Sequence, residues 1–253
     1  TISETILSRS SGDPNSIIYY AKGAPLCMDF AHRGATGDEV TTMWRPDYHT
    51  AVSFNQPGTS TCWGASVGTV EANKRGQEVR SLPQTIDYSA GVSFGGGNQQ
   101  NNRHLLLVKS TDPLGANYVA IRDVTVDGQP NQEFAWNLWC VAKDPEIAGN
   151  VAHFPGLFGV ALDAHVLVPA APQFAKDRYR YEQYVWPWWG LGKLAEEQTG
   201  VHVRKSGSKE DFLTVLYPRA AGQGAAQVTT LASNAAVQIA HMEGNDVLLL
   251  SPG

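Results

Sequence analysis

No segment of this chain repeats its apolar residues at the three-and-four spacing of a long helix. They come in short runs of β-branched, aromatic and aliphatic residues, broken by Gly, Pro, Asn and Asp. The clearest instance is RHLLLVK (103–109), then STDPLGAN, then YVAIRDVTV (118–126), closed by Asp127-Gly128. Two strand-forming runs joined by turn chemistry read as an antiparallel hairpin. Parallel strands need crossover helices, and no segment is periodic enough to supply one, so a parallel α/β sheet is disfavoured. Further strands are expected at 134–142, 201–205, 211–217, 226–231, 236–241 and 246–250. In 160–168 the residues Val160, Leu162, Ala164, Val166 and Val168 alternate onto one buried face. Residues 64–70 continue the sheet, 71–80 read as an exposed hairpin end, and 86–94 form a strand. Residues 95–102, GGGNQQNN, are loop by composition, and 191–198 read as at most a short helical turn.

The expected fold class is therefore all-β: one large antiparallel β-sandwich of the supersandwich kind, with few or no helices, over residues 1–253. The chain is organised around Asp13–Phe54. Asp13-Pro14-Asn15 is a turn, 16–21 and 24–30 are strands, and Lys22-Gly23 reverses the chain between them. A polar connector leads to Trp44–Phe54, whose strand begins near Thr50. Asp29, His32 and His49 stand at the ends of these runs as potential ligands.

Composition narrows function. A net charge of −5 argues against nucleic acid as a partner. No apolar run is long enough to span a bilayer, so no membrane partner is expected, and the N-terminus shows no signal peptide. The three cysteines, Cys27, Cys62 and Cys140, form no CxxC; they allow one disulfide or three buried thiols. No GxSxG, HExxH, P-loop or dinucleotide motif is present.

The succession SIIYYAKGAPLCMDF, WRPDYHTAVSF, RHLLLVKS, NYVAIRDVTVDG, FAWNLWCVA and KEDFLTVLYPR resembles the C-terminal β-sandwich of the heparinase II/III-like polysaccharide lyases. That resemblance implies β-elimination on a uronate-containing polysaccharide, a helical toroid domain as partner, and a secreted or periplasmic location. It also implies a divalent metal, zinc or calcium, with Asp29 and His49 at ligand positions and His32 available to complete the set. The family places histidines just before the first hairpin, where this chain has Arg9, Ser10 and Ser11. The toroid, with the family's catalytic Tyr, has no counterpart in this sequence.

Elimination needs a base, an acid for the leaving oxygen and a group that neutralises the carboxylate. By residue type, Asn15, Arg45 and His49 are the catalytic candidates near the hairpin. His104, His153, His165, His202 and His241 read as ordinary sheet residues. The run RYRYEQYVWPWWG (178–190) offers Arg178, Arg180, Tyr181, Tyr184, Trp186, Trp188 and Trp189 as a carbohydrate-binding ledge, because sugar CH faces stack on aromatic rings and Arg grips carboxylates. The same rings also suit a core or an interface with another domain. Three readings follow: a lyase domain needing a toroid, a stand-alone carbohydrate-binding or accessory module, and a structural domain packed on a partner.

Overall fold

The computed structural model describes residues 15–28, 46–55, 69–75, 85–94, 99–126, 130, 132–184, 193–231 and 236–250. The strands are β1 (Tyr19–Ala21), β2 (Ala24–Cys27), β3 (Val52–Asn55), β4 (Thr69–Arg75), β5 (Ile86–Phe94) and β6 (Gln100–Val108). They continue with β7 (Tyr118–Val126), β8 (Glu133–Cys140), β9 (Glu146–Ala148), β10 (Val151–Phe154), β11 (Val160–Val168) and β12 (Phe174–Tyr184). The last are β13 (Lys193–Ser206), β14 (Asp211–Ala220), β15 (Gln227–Thr230), β16 (Ala236–His241) and β17 (Gly244–Leu249). Among the described residues the helical element is one 3-10 turn, Pro46–Tyr48.

All pairings are antiparallel. An eight-stranded sheet runs β4-β5-β6-β7-β14-β11-β10-β9, a four-stranded sheet β12-β13-β8-β3, a three-stranded sheet β15-β16-β17, and β1-β2 form a hairpin of their own. The hairpin turns at Lys22 (φ 53°) and Gly23 (φ 79°), two successive left-handed residues, the backbone that matches the twist of tight two-residue hairpins.

The eight-stranded sheet lies between two cores. On one side Val119, Ile121, Leu162, Ala164, Phe212 and Leu216 meet Phe134, Trp136, Leu138, Val201 and Val203 of the four-stranded sheet. On the other, Tyr118, Ala120, Leu213, Val215 and Tyr217 meet Val237, Ile239 and Leu248 of the three-stranded sheet. Successive strand residues point to opposite faces, so β7, β11 and β14 are apolar at both odd and even positions. This explains why YVAIRDVTV, which is β7, reads as a nearly unbroken apolar run. The expected all-β antiparallel sandwich is what forms, with a third layer added.

Four expectations are corrected. Residues 193–198 are not a helical turn but the first half of β13, because they pair with β12 along its whole length, from Phe174↔Val203 to Tyr184↔Lys193. Residues 71–75 belong to β4 and pair with β5 rather than forming a hairpin end. The single buried face proposed for 160–168 is two buried faces: Asp163, His165 and Leu167 are also out of water. Within GGGNQQNN, 95–98 lies outside the described residues, and Gln100–Asn102 open β6 instead of extending a loop.

Candidate functional site

Asp29, His32, Arg45, Trp186, Trp188 and Trp189 lie outside the described residues, as do the side chains of Tyr181 and Tyr184. What the structure places of the first hairpin's chemistry is Asn15 and His49, and one buried cation ties their segments together. Arg103 Nη1 donates to the Asn15 carbonyl at 2.6 Å and to the Thr50 carbonyl at 2.8 Å. Its Nε and Nη2 donate to Asp123 Oδ1 and Oδ2 at 2.7 and 3.0 Å. Asn101 Nδ2 adds a third bond to Asp123, at 2.9 Å. Asn101, Arg103 and Asp123 are at most 1% exposed.

A buried pair of this kind survives only with its lone pairs and protons satisfied. Here the satisfaction comes from backbone carbonyls of two segments, Asn15 ahead of the first hairpin and Thr50 ahead of β3. Asn15 itself is left-handed (φ 60°), a conformation Asn tolerates, and its Nδ2 reaches the Asn101 carbonyl at 3.4 Å. His49 is 1% exposed, next to Thr50 on the turn leading into β3. Among the described residues no three His, Cys, Asp or Glu side chains converge as a metal set.

The outer face of the four-stranded sheet is richer. β8 sends Phe134, Trp136, Leu138 and Cys140 inward, which leaves Asn137 and Trp139 on the opposite face. Trp139 lies against Gly200, where a Cβ would come within 2.9 Å of the indole ring. Its Nε1 donates to the Asp47 carbonyl at 2.8 Å, which fastens the 3-10 turn to the sheet. Tyr48 of that turn stacks on Trp139 (centroids 5.6 Å, 14°), and Tyr179 of β12 meets Tyr48 edge-on (4.7 Å, 63°). Trp139 is buried beneath this roof, while Tyr48 and Tyr179 keep part of their surface open.

Beside the aromatic cluster, Asn137 Nδ2 donates to the Ala51 carbonyl (3.0 Å) and to Ser53 Oγ (3.1 Å). The backbone acceptor fixes the amide orientation, so Asn137 Oδ1 is what faces His202 Nδ1 at 2.8 Å. Nδ1 therefore carries the proton. The other ring nitrogen, Nε2, lies 3.5 Å from Asp177 Oδ2. The His202 ring also meets Trp139 edge-on at 5.6 Å. A locked imidazole, a carboxylate at its outer nitrogen and two partly open phenols thus share one sheet face. His202 carried no sequence signal as a site residue, because only the β8–β13 register places it opposite Asn137.

β12 splits the proposed ledge. Alternation sends Tyr179 to the Trp139 face and Arg178 and Arg180 to the other. Arg178 Nη2 bonds Asp144 Oδ1 at 2.9 Å, and its Nε lies 3.5 Å from Glu197 Oε1, both pairs being well exposed. Its charge is shared with two carboxylates.

A second polar cluster sits at the far end of the eight-stranded sheet. Asp163, almost fully buried, takes His153 Nδ1 at 2.6 Å and Arg219 Nε at 2.6 Å. His153 and Arg219 line a cleft of about 290 Å³ with Gly156, Gly159 and Gln223. Burial lowers the neighbouring His165 below the usual histidine range; Asp163 opposes the shift and Arg219 adds to it. No helix among the described residues is long and apolar enough to cross a membrane.

No family model matches this chain. No curated sequence is similar to it either. Its architecture is more telling. The structure superposes on heparan sulfate lyase HepC from Pedobacter heparinus with a TM-score of 0.67 at 12% identity, covering 94% of this chain and 36% of the lyase. It shares its fold with the heparinase III lyases. A heparinase III gene product gives a TM-score of 0.63 at 10% identity and 94% coverage, and another heparinase III structure gives 0.60 at 10% identity and 96% coverage. In each case this chain spans 36% of the lyase's length. The resemblance carried by the strand order is thus a resemblance of fold, extending over nearly the whole chain and about a third of the relatives.

Proposed function

We propose that this chain is the β-sandwich part of a polysaccharide lyase that cleaves uronate-containing chains by β-elimination, with its helical toroid supplied outside this sequence. The observation that carries the reading is the fold match, which takes in 94% of this chain but 36% of HepC. In this reading the polysaccharide is a heparan-like or related uronate polymer, and the location is extracellular or periplasmic. Sugar rings lie on the partly open Tyr48 and Tyr179 beside His202. Aromatic faces suit the CH surfaces of pyranoses, and His202 with its proton fixed on Nδ1 presents Nε2 toward the same face. Asp29, His32 and His49 stand as proposed ligands of a zinc or calcium ion, and Asn15, Arg45 and His49 as proposed catalytic groups.

A second reading is a non-catalytic carbohydrate-binding or accessory module. It is favoured by the residues ahead of Asp13, Arg9, Ser10 and Ser11, which hold no histidine where the resembled family has it.

The test measures unsaturated uronate formation and binding together, on heparan sulfate, heparin, alginate and hyaluronan. The chain alone is expected to bind at least one of them without product, and a fusion to a heparinase III toroid to release product. Binding with no product from the fusion would favour the accessory module. No retardation on any of the four would reject both readings.

A further inference from the structure

Cys27 and Cys140 meet in the main core, on two different sheets. Their Sγ atoms are 3.8 Å apart, and the residues are 0% and 1% exposed. Cys27 ends β2, and Cys140 ends β8. The strand ends are clamped side by side, because the Val141 amide donates to the Leu26 carbonyl at 2.9 Å. Strands bonded in this way keep facing Cα atoms about 4.5–5.5 Å apart, inside the roughly 4.4–6.8 Å that a disulfide spans. Closing the bond from 3.8 Å needs rotation about the side-chain torsions and no displacement of either strand.

We propose that Cys27 and Cys140 form a structural disulfide when the chain folds in an oxidising compartment. The crosslink joins positions 113 residues apart, and long closed loops restrict the unfolded chain most. Its place in the fold gives it a task. Among the described residues β1 and β2 pair only with each other, and an isolated two-stranded hairpin is marginal in water. Beside its apolar packing, its tethers at the turn and β1 include side-chain bonds to the main chain: Lys22 Nζ to the Leu114 carbonyl at 2.6 Å and Tyr19 Oη to the Asn117 carbonyl at 3.3 Å. The disulfide would fix the opposite end of the hairpin, two residues before Asp29.

The reaction is thiol–disulfide exchange with a small-molecule or protein disulfide. One cysteine thiolate attacks the oxidant's disulfide to give a mixed disulfide, releasing one thiolate. The second cysteine, deprotonated in turn, displaces the other, so the two cysteines lose two electrons and two protons and the oxidant is reduced to two thiols. In the folded state burial pushes the Cys140 thiol up, so it stays protonated, and only thiolates attack. Both thiols are also out of reach of a dissolved oxidant once the core is packed, so exchange takes place before the hairpin docks.

The test is mass spectrometry of the full chain refolded from urea in a reduced/oxidised glutathione buffer, and of the chain secreted to a bacterial periplasm. Both are alkylated under denaturing conditions without reductant. The expected species has a mass about 2 Da lower before alkylation, a linked peptide holding Cys27 and Cys140, and one alkylated cysteine, Cys62. In the reduced, folded protein, Cys27 and Cys140 should resist alkylation until denaturant is added. The oxidised chain should lose thermal midpoint on reduction, and Cys27→Ala and Cys140→Ala variants should show no such reductant-dependent shift. Three alkylated cysteines from both preparations, or a linked peptide containing Cys62, would overturn the assignment. Neither result depends on whether the chain binds a polysaccharide.

Discussion

Arg103 and Asp123 stand directly opposite each other on β6 and β7, Nε 2.7 Å from Oδ1, with neither side chain reaching water. Because Arg103 Nη1 also holds the Asn15 and Thr50 carbonyls, this pair is the joint at which the first hairpin and the turn bearing His49 are fastened to the eight-stranded sheet. Removing one partner of a buried pair leaves an uncompensated charge, whereas replacing both with apolar residues is often close to neutral. Arg103→Met should therefore destabilise the fold by about 3–5 kcal/mol, and Arg103→Met with Asp123→Leu should recover much of that loss. Equilibrium urea unfolding checks both. A double variant as unstable as the single one would show that the carbonyl bonds of Arg103, rather than the ion pair, carry the joint.

Gly200 is where the aromatic cluster is most sensitive to added volume. A Cβ there meets the Trp139 ring at 2.9 Å, and Trp139 is held on its other sides by Tyr48 and by the bond to Asp47. Gly200→Ala should cost about 1–3 kcal/mol through overpacking, and should change the near-ultraviolet circular dichroism of the stacked rings. An unchanged aromatic spectrum with unchanged stability would mean that the ring gives way freely.

The strands were legible because their composition carries them. β6, β7, β11, β14, β16 and β17 all coincide with apolar or β-branched runs. β12 and the first half of β13 were not legible, because Lys176–Glu182 and Glu196–Gln198 are polar. They pair with each other at the edge of a sheet, where backbone bonds rather than buried side chains define the strand. The third layer was equally hidden: periodicity reports that both faces of β11 are apolar without saying what covers the second. At the candidate site, Tyr179 lies inside the aromatic run 178–190, but it meets Tyr48, 131 positions away, and through it Trp139, 40 positions away. His202 gains its place only through its register with Asn137, whose amide is oriented by donating to the Ala51 carbonyl and Ser53 Oγ. Registers between distant strands are set by the whole sheet and leave no local trace.

His165 makes the fold acid-sensitive near neutrality. Among the described residues its Nε2 has no hydrogen-bond partner, and burial holds its pKa below the ordinary value near 6.5, with Asp163 and Arg219 as its charged neighbours. A depressed histidine is neutral when folded, so between the folded and unfolded values the unfolded chain binds more protons and stability rises with pH. The contribution is complete above pH about 6.5 and is lost as pH falls from there toward the lower folded value. Thermal midpoints measured from about pH 7.5 down to about pH 5 should fall less steeply in His165→Leu than in the parent chain. Parallel slopes would place the acid sensitivity elsewhere.

The two faces of β12 separate stacking from charge as the source of any polysaccharide affinity. Tyr179 stands on the Trp139 face, while Arg178 leaves from the other and is already shared between Asp144 and Glu197. An aromatic contact contributes about 0.5–1.5 kcal/mol, which corresponds to roughly a 2- to 12-fold change in Kd. Tyr179→Ala should therefore weaken binding to a heparan-type oligosaccharide by about that factor, with Tyr179→Phe close to the parent because the ring is kept. Arg178→Ala should leave affinity at moderate salt nearly unchanged, since it frees two carboxylates as it removes one cation and so gains nothing for an anionic ligand on the opposite face. Calorimetric titration of the three variants decides. The reverse order, with Arg178→Ala the damaging change and Tyr179→Ala silent, would move the binding surface to the other side of the strand and leave the Tyr48–Trp139–Tyr179 cluster as packing alone.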